Sequence, residues 1–598
     1  MLRPEPMCKV LVVTPKNLKK DVVETLYSLG VLHLKDAEIE GFETGTPLEN
    51  AERISKLLLS IESLLQKLPE EKGKSPLHIS SLRSLERLCE SLSQKISKIE
   101  EEIKTLEEKI REEEEREKLR KLAKKLGISK KLLWDSKKFE IIIGLAKDVN
   151  KNFLPEHIIF ASTDFEGKQA FLVVAKKELG ESMREALRAF DFNEISISEL
   201  EKALFSLVSK KQIEKRFEFM REKLRELARK YRSVLEKWKS VLEMECEKAE
   251  APLKFGESKR VVLIEGWIPK KEKERFANTL RKTFGKKIAL RIEDVKRKEN
   301  APVKLSHPKP ISSFKMFLEV YSLPKYGEVD PTLFLFITFP IYFGFMLGDI
   351  GYGILSLLLA LFIRKRKELK AFSNIMLLAS LSTIFFGFLY GEFFGAEEIL
   401  GFHIPHLLSR VESIYELIFA SIIFGLVHIN IGLLLGFVNE LTLHGIKEAF
   451  LHKGGWFLVE AGAFLFLFSW KGIMNIPLSV ILAVFFAGVL LLIKGEGILG
   501  AVEMPTLLSH ILSYSRLAGV GIASASLAMV VNEIPGSLLT KSVFFLPVVA
   551  LLVLIGHIGN FLLGLLECSL HSLRLNWVEF FTKFYHGGGT PYKPFGRR

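Results

Sequence analysis

Apolar residues recur along this chain with three different rhythms. Near the start, "CKVLVV" (8–13), a helical stretch around Lys20–Leu29 and "VLHL" (31–34) predict a small βαβ unit. "RVVLIEGWIP" (260–269), a helix and "IALRIEDV" (288–295) predict a second, and the two are expected to form one lobe. Between them lie two runs in which apolar residues step by three or four. The first is Leu82, Leu85, Leu88, Leu92, Ile96, Ile99, Ile103, Leu106 and Ile110, and the second is Ile213, Phe217, Met220, Leu224, Leu227, Tyr231, Val234, Trp238 and Val241. Sustained a/d spacing with charged flanks predicts a long antiparallel coiled coil, since a helix buried in a globular core would show a wider apolar face. The segment between the runs, with "FEIIIGL" (139–145), "AFLVVA" (170–175) and a helix near Ser182–Phe190, reads as a second α/β lobe. Two lobes on the ends of a hairpin make a strut and not an enzyme.

From Pro331 onward the pattern becomes continuous. Apolar stretches at 331–347, 350–363, 372–391, 414–438, 456–470, 474–493, 505–532 and 543–576 predict transmembrane helices, the first two being short for a span. Charge settles their number. "RKRKELK" (364–370) holds five basic residues and is placed on the cytosolic side with the N-terminal half, so an even number of crossings precedes it. The break at Gly348–Gly353 then separates two helices, and eight spans result. The expected fold class is therefore an α+β cytosolic domain, two α/β lobes joined by a long antiparallel coiled coil, followed by an all-α eight-helix transmembrane domain. The expected divisions are 1–50 with 255–300 (proximal lobe), 51–127 with 201–254 (coiled-coil arm), 128–200 (distal lobe), 301–330 (linker), 331–585 (membrane domain, its last helix about 543–580) and 586–598 (cytosolic tail).

Composition agrees with this division. Of the 85 Lys+Arg and 71 Asp+Glu in 598 residues, 68 and 56 fall in residues 1–330, a net charge of +12. Acidic and basic residues are interspersed along the predicted helices, so a solvated surface explains the basic balance better than nucleic-acid binding. The four cysteines are far apart, with neither CxxC nor nearby histidines, which points away from a disulfide framework and from a metal site. The N-terminus "MLRPEPMCKVLVVTP" lacks the apolar core of a signal peptide, so this half is expected in the cytosol. No GxxxxGK[ST] is present, and "GEGILG" (495–500) lies between two spans with no preceding strand. No cofactor is expected.

One charge stands in the apolar run "LLSHILSYSRLAGVGIASASLAMVV": Arg516. Such a residue costs about 2.5–3.5 kcal/mol or more near a bilayer centre, which makes it a functional candidate. The residues sharing its face, Ser509, Ser513, Gly519 and Ala523, are small and admit a close neighbour. On the eighth predicted helix His557, Asn560, Gly564, Glu567, His571 and Arg574 draw one mostly polar stripe at steps of three and four. One His or Asn would suit polar packing between helices. Two arginines, a glutamate and two histidines on neighbouring spans favour a hydrated ion path. Glu392, His428, Glu440, Glu460 and Glu503 also lie in or near spans, and each alone suits a helix end or a packing contact.

"KNLKKDVVETLYSLGVLHLKD", "IEGWIPK", "GEVDPTLFLFITFPIYFGFMLGDIGYG", "FGFLYGEFFG", "LSYSRLAGVGIAS" and "HSLRLNWVEFFTKFYHGGGTPYKPF" together resemble a family, over nearly the whole chain. It is the membrane-embedded stator subunit of rotary V-type and archaeal-type ATPases, subunit I in prokaryotes and subunit a in eukaryotes. The resemblance implies a non-catalytic subunit of an ATPase or ATP synthase that moves protons or sodium ions against a ring of proteolipid (c/K) subunits. It also implies partners among peripheral-stalk heterodimers of E and H/G type, a central-stalk adaptor of C/d type, and membrane lipids. The length leaves no room for the large loops of eukaryotic members, so an archaeal type is expected. The family's essential arginine matches Arg516 and its second arginine matches Arg574. Glu567 lies seven residues before Arg574, where eukaryotic relatives place a glutamate about three residues earlier, so it is assigned by helical face. Glu567 and His571 are expected to line a half-channel, with Asn560, His557, Ser513 and Glu503 as further lining candidates. The competing class is a self-contained secondary transporter of ions or anions. Internal repeats would support it, and none is seen.

Overall fold

The computed structural model describes residues 2–596 apart from 37–40, 72, 74–80, 129–138, 147–158, 166–167, 182–183, 186–191, 206–209, 296–298, 400–401 and 540–545. The chain forms two compact units, Met1–Thr46 with Ala251–Arg598, and Pro47–Glu250.

In the first unit, strand Met7–Pro15 pairs antiparallel with Val261–Pro269 on one side and with Ala289–Asp294 on the other. His33–Lys35 pairs antiparallel with Val261–Pro269. The two strands of each expected βαβ unit therefore flank a strand of the other unit, so the units interleave into one sheet. Helices Lys19–Leu29 and Lys273–Phe284 bury Val22, Val23, Leu26 and Tyr27, and Phe276, Leu280 and Phe284. The first helix stops at Gly30, whose φ of 63° lies in the left-handed region that glycine adopts without strain.

Two devices tie distant parts of this unit together. The C-terminal tail returns to the sheet: Phe595 N donates to Leu32 O at 2.7 Å, Val303 N donates to Thr590 O at 2.8 Å, and the Phe595 ring meets Tyr27 edge-on at 5.2 Å. Where the chain leaves the sheet at Thr46, buried Glu257 accepts from Thr46 N at 2.9 Å and pairs with Lys16 at 2.5 Å and Lys19 at 3.2 Å. Burial alone would raise this carboxyl, but the two ammonium groups and the N–H outweigh it and hold it at about 2.

The second unit contains helices Leu82–Lys125 and Lys210–Glu250, of 44 and 41 residues, about 66 and 62 Å long at 1.5 Å per residue. They run antiparallel, as Lys210–Glu114 at 3.0 Å and Arg216–Glu102 at 2.8 Å require. Leu85, Cys89, Leu92 and Ile96 are buried with Ala228, Leu235 and Leu242. A third helix, Ala51–Lys67, adds Ile54, Leu57, Ile61 and Leu64 to the same core, so at this end the seam involves three helices. The sheet in this unit orders its strands Ile159–Phe165, Lys168–Lys176, Phe139–Ala146, Asn193–Glu194, all antiparallel. The helix expected near Ser182–Phe190 falls largely outside the described residues.

The remainder of the first unit is mostly helical. Among the described residues five helices are long and apolar enough to cross a membrane: Lys367–Tyr390, Ile414–Leu443, Leu478–Glu496, Met504–Glu533 and Leu546–Lys583. Three shorter apolar helices are Thr332–Leu347, Ile350–Ile363 and Gly455–Trp470.

The break between the first two has a local cause. Asp349 caps the second helix, accepting from Tyr352 N at 2.9 Å, and its carboxylate also receives Phe394 N at 3.0 Å and Gly395 N at 2.8 Å. A Cβ at Gly348 would sit 2.4 Å from the Tyr390 ring. Buried Arg410 closes the end of the first helix. It donates to the carbonyls of Met346 at 3.2 Å and Leu347 at 3.4 Å, to Gly521 O at 3.3 Å, and through Nε to Glu392 at 2.8 Å. Glu392 is thus the buried counter-ion of a loop arginine, a role its position at a helix end did not disclose.

Candidate functional site

Arg516 lies in the first turn of helix Ser515–Leu539, directly after helix Met504–Leu512 ends in a turn at Ser513 and Tyr514. Its side chain is 24% exposed, and that of Arg574, at the end of helix Leu546–Arg574, is 55% exposed. The two long helices pack against each other, Asn560 Nδ2 donating to Ser524 O at 3.1 Å. The predicted small flank opens outward: Ser509, Gly519 and Ala523 are exposed and Ser513 is half-buried, its hydroxyl bonded to Ser509 O at 2.8 Å. A Cβ on Gly519 would meet nothing within 4 Å among the described residues. The polar stripe does not keep to one environment. Seventeen residues from His557 to Arg574 fall short of five whole α-helical turns by ~100°. Asn560 and Gly564 consequently turn into the chain's own core, while Glu567 and Arg574 are exposed and His571 is half-buried, within the field of Arg516.

A third charged residue joins the arginines. Glu579, 2% exposed, places Oε1 3.7 Å from Arg516 Nη1 and 3.8 Å from Arg574 Nε, beyond hydrogen-bond range of both. Its other oxygen and Arg516 Nη1 are buried without a hydrogen-bond partner. Five residues past Arg574, Glu579 would stand ~140° away on an α-helix. The chain here is a π-helix, Leu575–Phe580, whose i→i+5 closure carries Glu579 back to the arginine face. That local unwinding brings the carboxylate closer to the arginine face.

The other predicted residues form two groups on either side of the arginines. His557 Nδ1 lies 2.8 Å from Tyr352 OH and Nε2 lies 3.0 Å from Asn532 Oδ1, and buried Asn560 donates to Tyr352 OH at 3.0 Å. Ser524, bonded to Asn560, is eight residues past Arg516, about 12 Å along the helix. In the opposite direction Glu503 lines a cavity of about 290 Å3 with Lys453, Trp456, Glu496 and Lys583. Lys453 pairs with Glu496 there at 2.9 Å. Farther in, His428 Nδ1 lies 2.7 Å from Tyr514 OH and stacks on Phe580 at 3.8 Å, next to the turn that carries Arg516.

Five helices long and apolar enough to cross a membrane define a helical membrane protein, in which two guanidiniums stand near an exposed helix flank. The chain belongs to the V-type ATPase 116kDa subunit family, which residues 125–400 and 504–596 match. It is similar to the A-type ATP synthase subunit I of Archaeoglobus fulgidus, 30% identical over 100% of this chain and 99% of that one. The A-type ATP synthase subunit I of Halobacterium salinarum is 28% identical over 100% and 99% of the two chains. That of Methanocaldococcus jannaschii is 31% identical over 73% and 71%. A crystal structure of the cytoplasmic N-terminal domain of subunit I, homolog of subunit a, of V-ATPase aligns with 48% of this chain and 99% of its own, at 19% identity and a TM-score of 0.30.

Proposed function

We propose that this chain is the membrane stator subunit of a rotary A/V-type ATPase, passing protons or sodium ions between two half-channels against a proteolipid ring. The observation that carries the reading is Arg516, a permanent cation inside an apolar helix pair, partly exposed near Gly519, where a Cβ would meet no described residue within 4 Å. A ring carboxylate must be neutral while it faces lipid, because an ionised group there is expensive. Opposite Arg516 the ionised form is favoured, and the ion leaves. Reloading occurs from the second half-channel, and the arginine between them blocks a leak. Arginine fits this role because its pKa exceeds about 12, so it cannot relay the proton itself.

In this reading all eight helices cross, with the N-terminal half and the tail in the cytosol. Glu503 and the Lys453–Glu496–Lys583 cavity lie at the mouth of the cytosolic half-channel, with Ser513 above it. His557 and Asn560 line the other half-channel, where Glu567 and His571 lead toward Arg516, and Arg574 flanks it. The long antiparallel helices are a coiled-coil strut that resists torque and grips E and H/G type peripheral-stalk subunits, with the C/d type adaptor nearby. The subunit itself is non-catalytic.

Purification of the tagged chain from its native membrane tests this. A proteolipid ring and stalk subunits are expected to co-elute with it. A chain that elutes alone, and moves ions in vesicles that hold no other subunit, is a secondary transporter and overturns the reading.

A further inference from the structure

Resting on the stator reading, we infer that Glu579 is a positioning residue for ion transfer: a built-in counter-ion that sets how tightly Arg516 holds the passing ring carboxylate. The placement argues for competition. A carboxylate meant only to lock an arginine makes a bidentate, hydrogen-bonded pair. Arg410 and Glu392 in this same chain are such a pair, with Nε–Oε1 at 2.8 Å and both side chains nearly inaccessible. Glu579 instead sets one oxygen between two guanidiniums, 3.7 and 3.8 Å away, and bonds neither. It is close enough to lower the positive potential at Arg516 and too far to occupy its donors. Arg516 Nη1 is buried on the Glu579 side without a hydrogen-bond partner, and the exposed part of the side chain is left to an incoming carboxylate.

Among the described residues, the groups facing Glu579 come from three places. Arg516 comes from helix Ser515–Leu539, Arg574 from helix Leu546–Arg574, and Tyr514, whose hydroxyl bonds His428, from the turn before Arg516. His571 faces the same arginines from one turn away. Of these only Glu579 brings a negative charge to the arginine pair at less than 4 Å. Two cations sharing one anion leave a net positive site. That site attracts a ring carboxylate, yet less strongly than two unopposed guanidiniums would, so the carboxylate can be released as the ring turns.

The test uses the reconstituted complex and ATP-driven uptake as a function of pH, or of Na+ at fixed pH, with assembly checked by co-elution of the ring. Glu579→Gln is expected to slow maximal uptake and to move the half-maximal pH to the acid side by about one unit, because the ring carboxylate is held ionised more strongly. Glu579→Asp is expected to keep the wild-type profile. A merely structural role would lower the rate without moving the profile. Should Glu579→Gln fail to assemble, Arg574→Gln carries the test: with one cation removed, Glu579 opposes Arg516 alone, and the midpoint moves to the alkaline side. An unmoved midpoint in the assembled variant, or an acid shift in Arg574→Gln, overturns the inference. Wild-type uptake in Arg516→Ala would instead overturn the stator reading on which it rests.

Discussion

Replacing Arg410 by Met isolates the buried clamp that holds helix Thr332–Leu347 against the helix that carries Arg516. Arg410 and Glu392 are 2% and 5% exposed at their side chains, and the guanidinium also satisfies the carbonyls of Met346, Leu347 and Gly521. Removing it leaves a carboxylate buried without a counter-charge, a change that costs about 3–5 kcal/mol. The carbonyls at the helix end lose their donors as well, and unmet buried acceptors add about 1–3 kcal/mol. A loss of at least about 3–5 kcal/mol is expected overall. Thermal unfolding of the detergent-purified chain, followed by the temperature at which monodisperse protein is lost on size exclusion, reads the effect. Glu392→Gln added to Arg410→Met removes the stranded charge and is expected to recover most of the loss, since a neutral pair in a buried site is often as stable as the ionic one. A single variant as stable as wild type, or a double variant no better than the single, would refute the clamp.

Three further outcomes are expected. Gly519→Leu starts from a position whose Cβ would meet nothing within 4 Å among the described residues, so the isolated chain is expected to keep or gain stability, by up to ~1 kcal/mol from replacing a helical glycine, while ATP-driven ion uptake in the complex falls to background. The His586–Glu328 contact at 3.2 Å raises the imidazole above its ordinary value. Its stabilisation of the tail is therefore fully present below pH ~6.5 and is lost as pH rises through the raised value. Hydrogen exchange of residues 587–596 is expected to speed up across that window, and His586→Ala abolishes the pH dependence. Glu257→Gln removes the anion that Lys16 and Lys19 share and leaves one amide oxygen where two carboxylate oxygens accepted, and is expected to cost about 1–3 kcal/mol in thermal unfolding at neutral pH. Because that carboxyl is depressed to about 2, its contribution is present above pH ~4.5 and fades only as pH falls toward 2, where wild type and variant converge.

What was legible in the sequence follows from which interactions are local. The helical character of the C-terminal part is written in apolar runs of span length, and the strands around Val10 and Ile264 in short β-branched stretches, because composition reports burial directly. Strand interleaving was not legible. Pairing of Met7–Pro15 with Val261–Pro269 joins residues some 250 positions apart, and two βαβ patterns read the same whether or not they share a sheet. Helix Ala51–Lys67 escaped the heptad reading because its apolar stripe begins before the long runs. Arg516 and Arg574 stood out as charges in apolar surroundings. Their companions did not. Arg410 sits in a polar loop where a charge attracts no notice, and Glu579 falls off the Arg574 face at α-helical spacing, brought closer to it by the π-helix at Leu575–Phe580. Irregular backbone hid it. The one available signal was an acid at the edge of an apolar span, in "HSLRLNWVEF".

The most direct measurement of the central claim is ATP-driven ion uptake by the complex carrying Arg516→Ala or Arg516→Lys, with assembly verified for each. The account predicts uptake at background in both, since alanine removes the charge and lysine moves it and can lose its proton. Uptake near the wild-type rate in either fully assembled variant would contradict it.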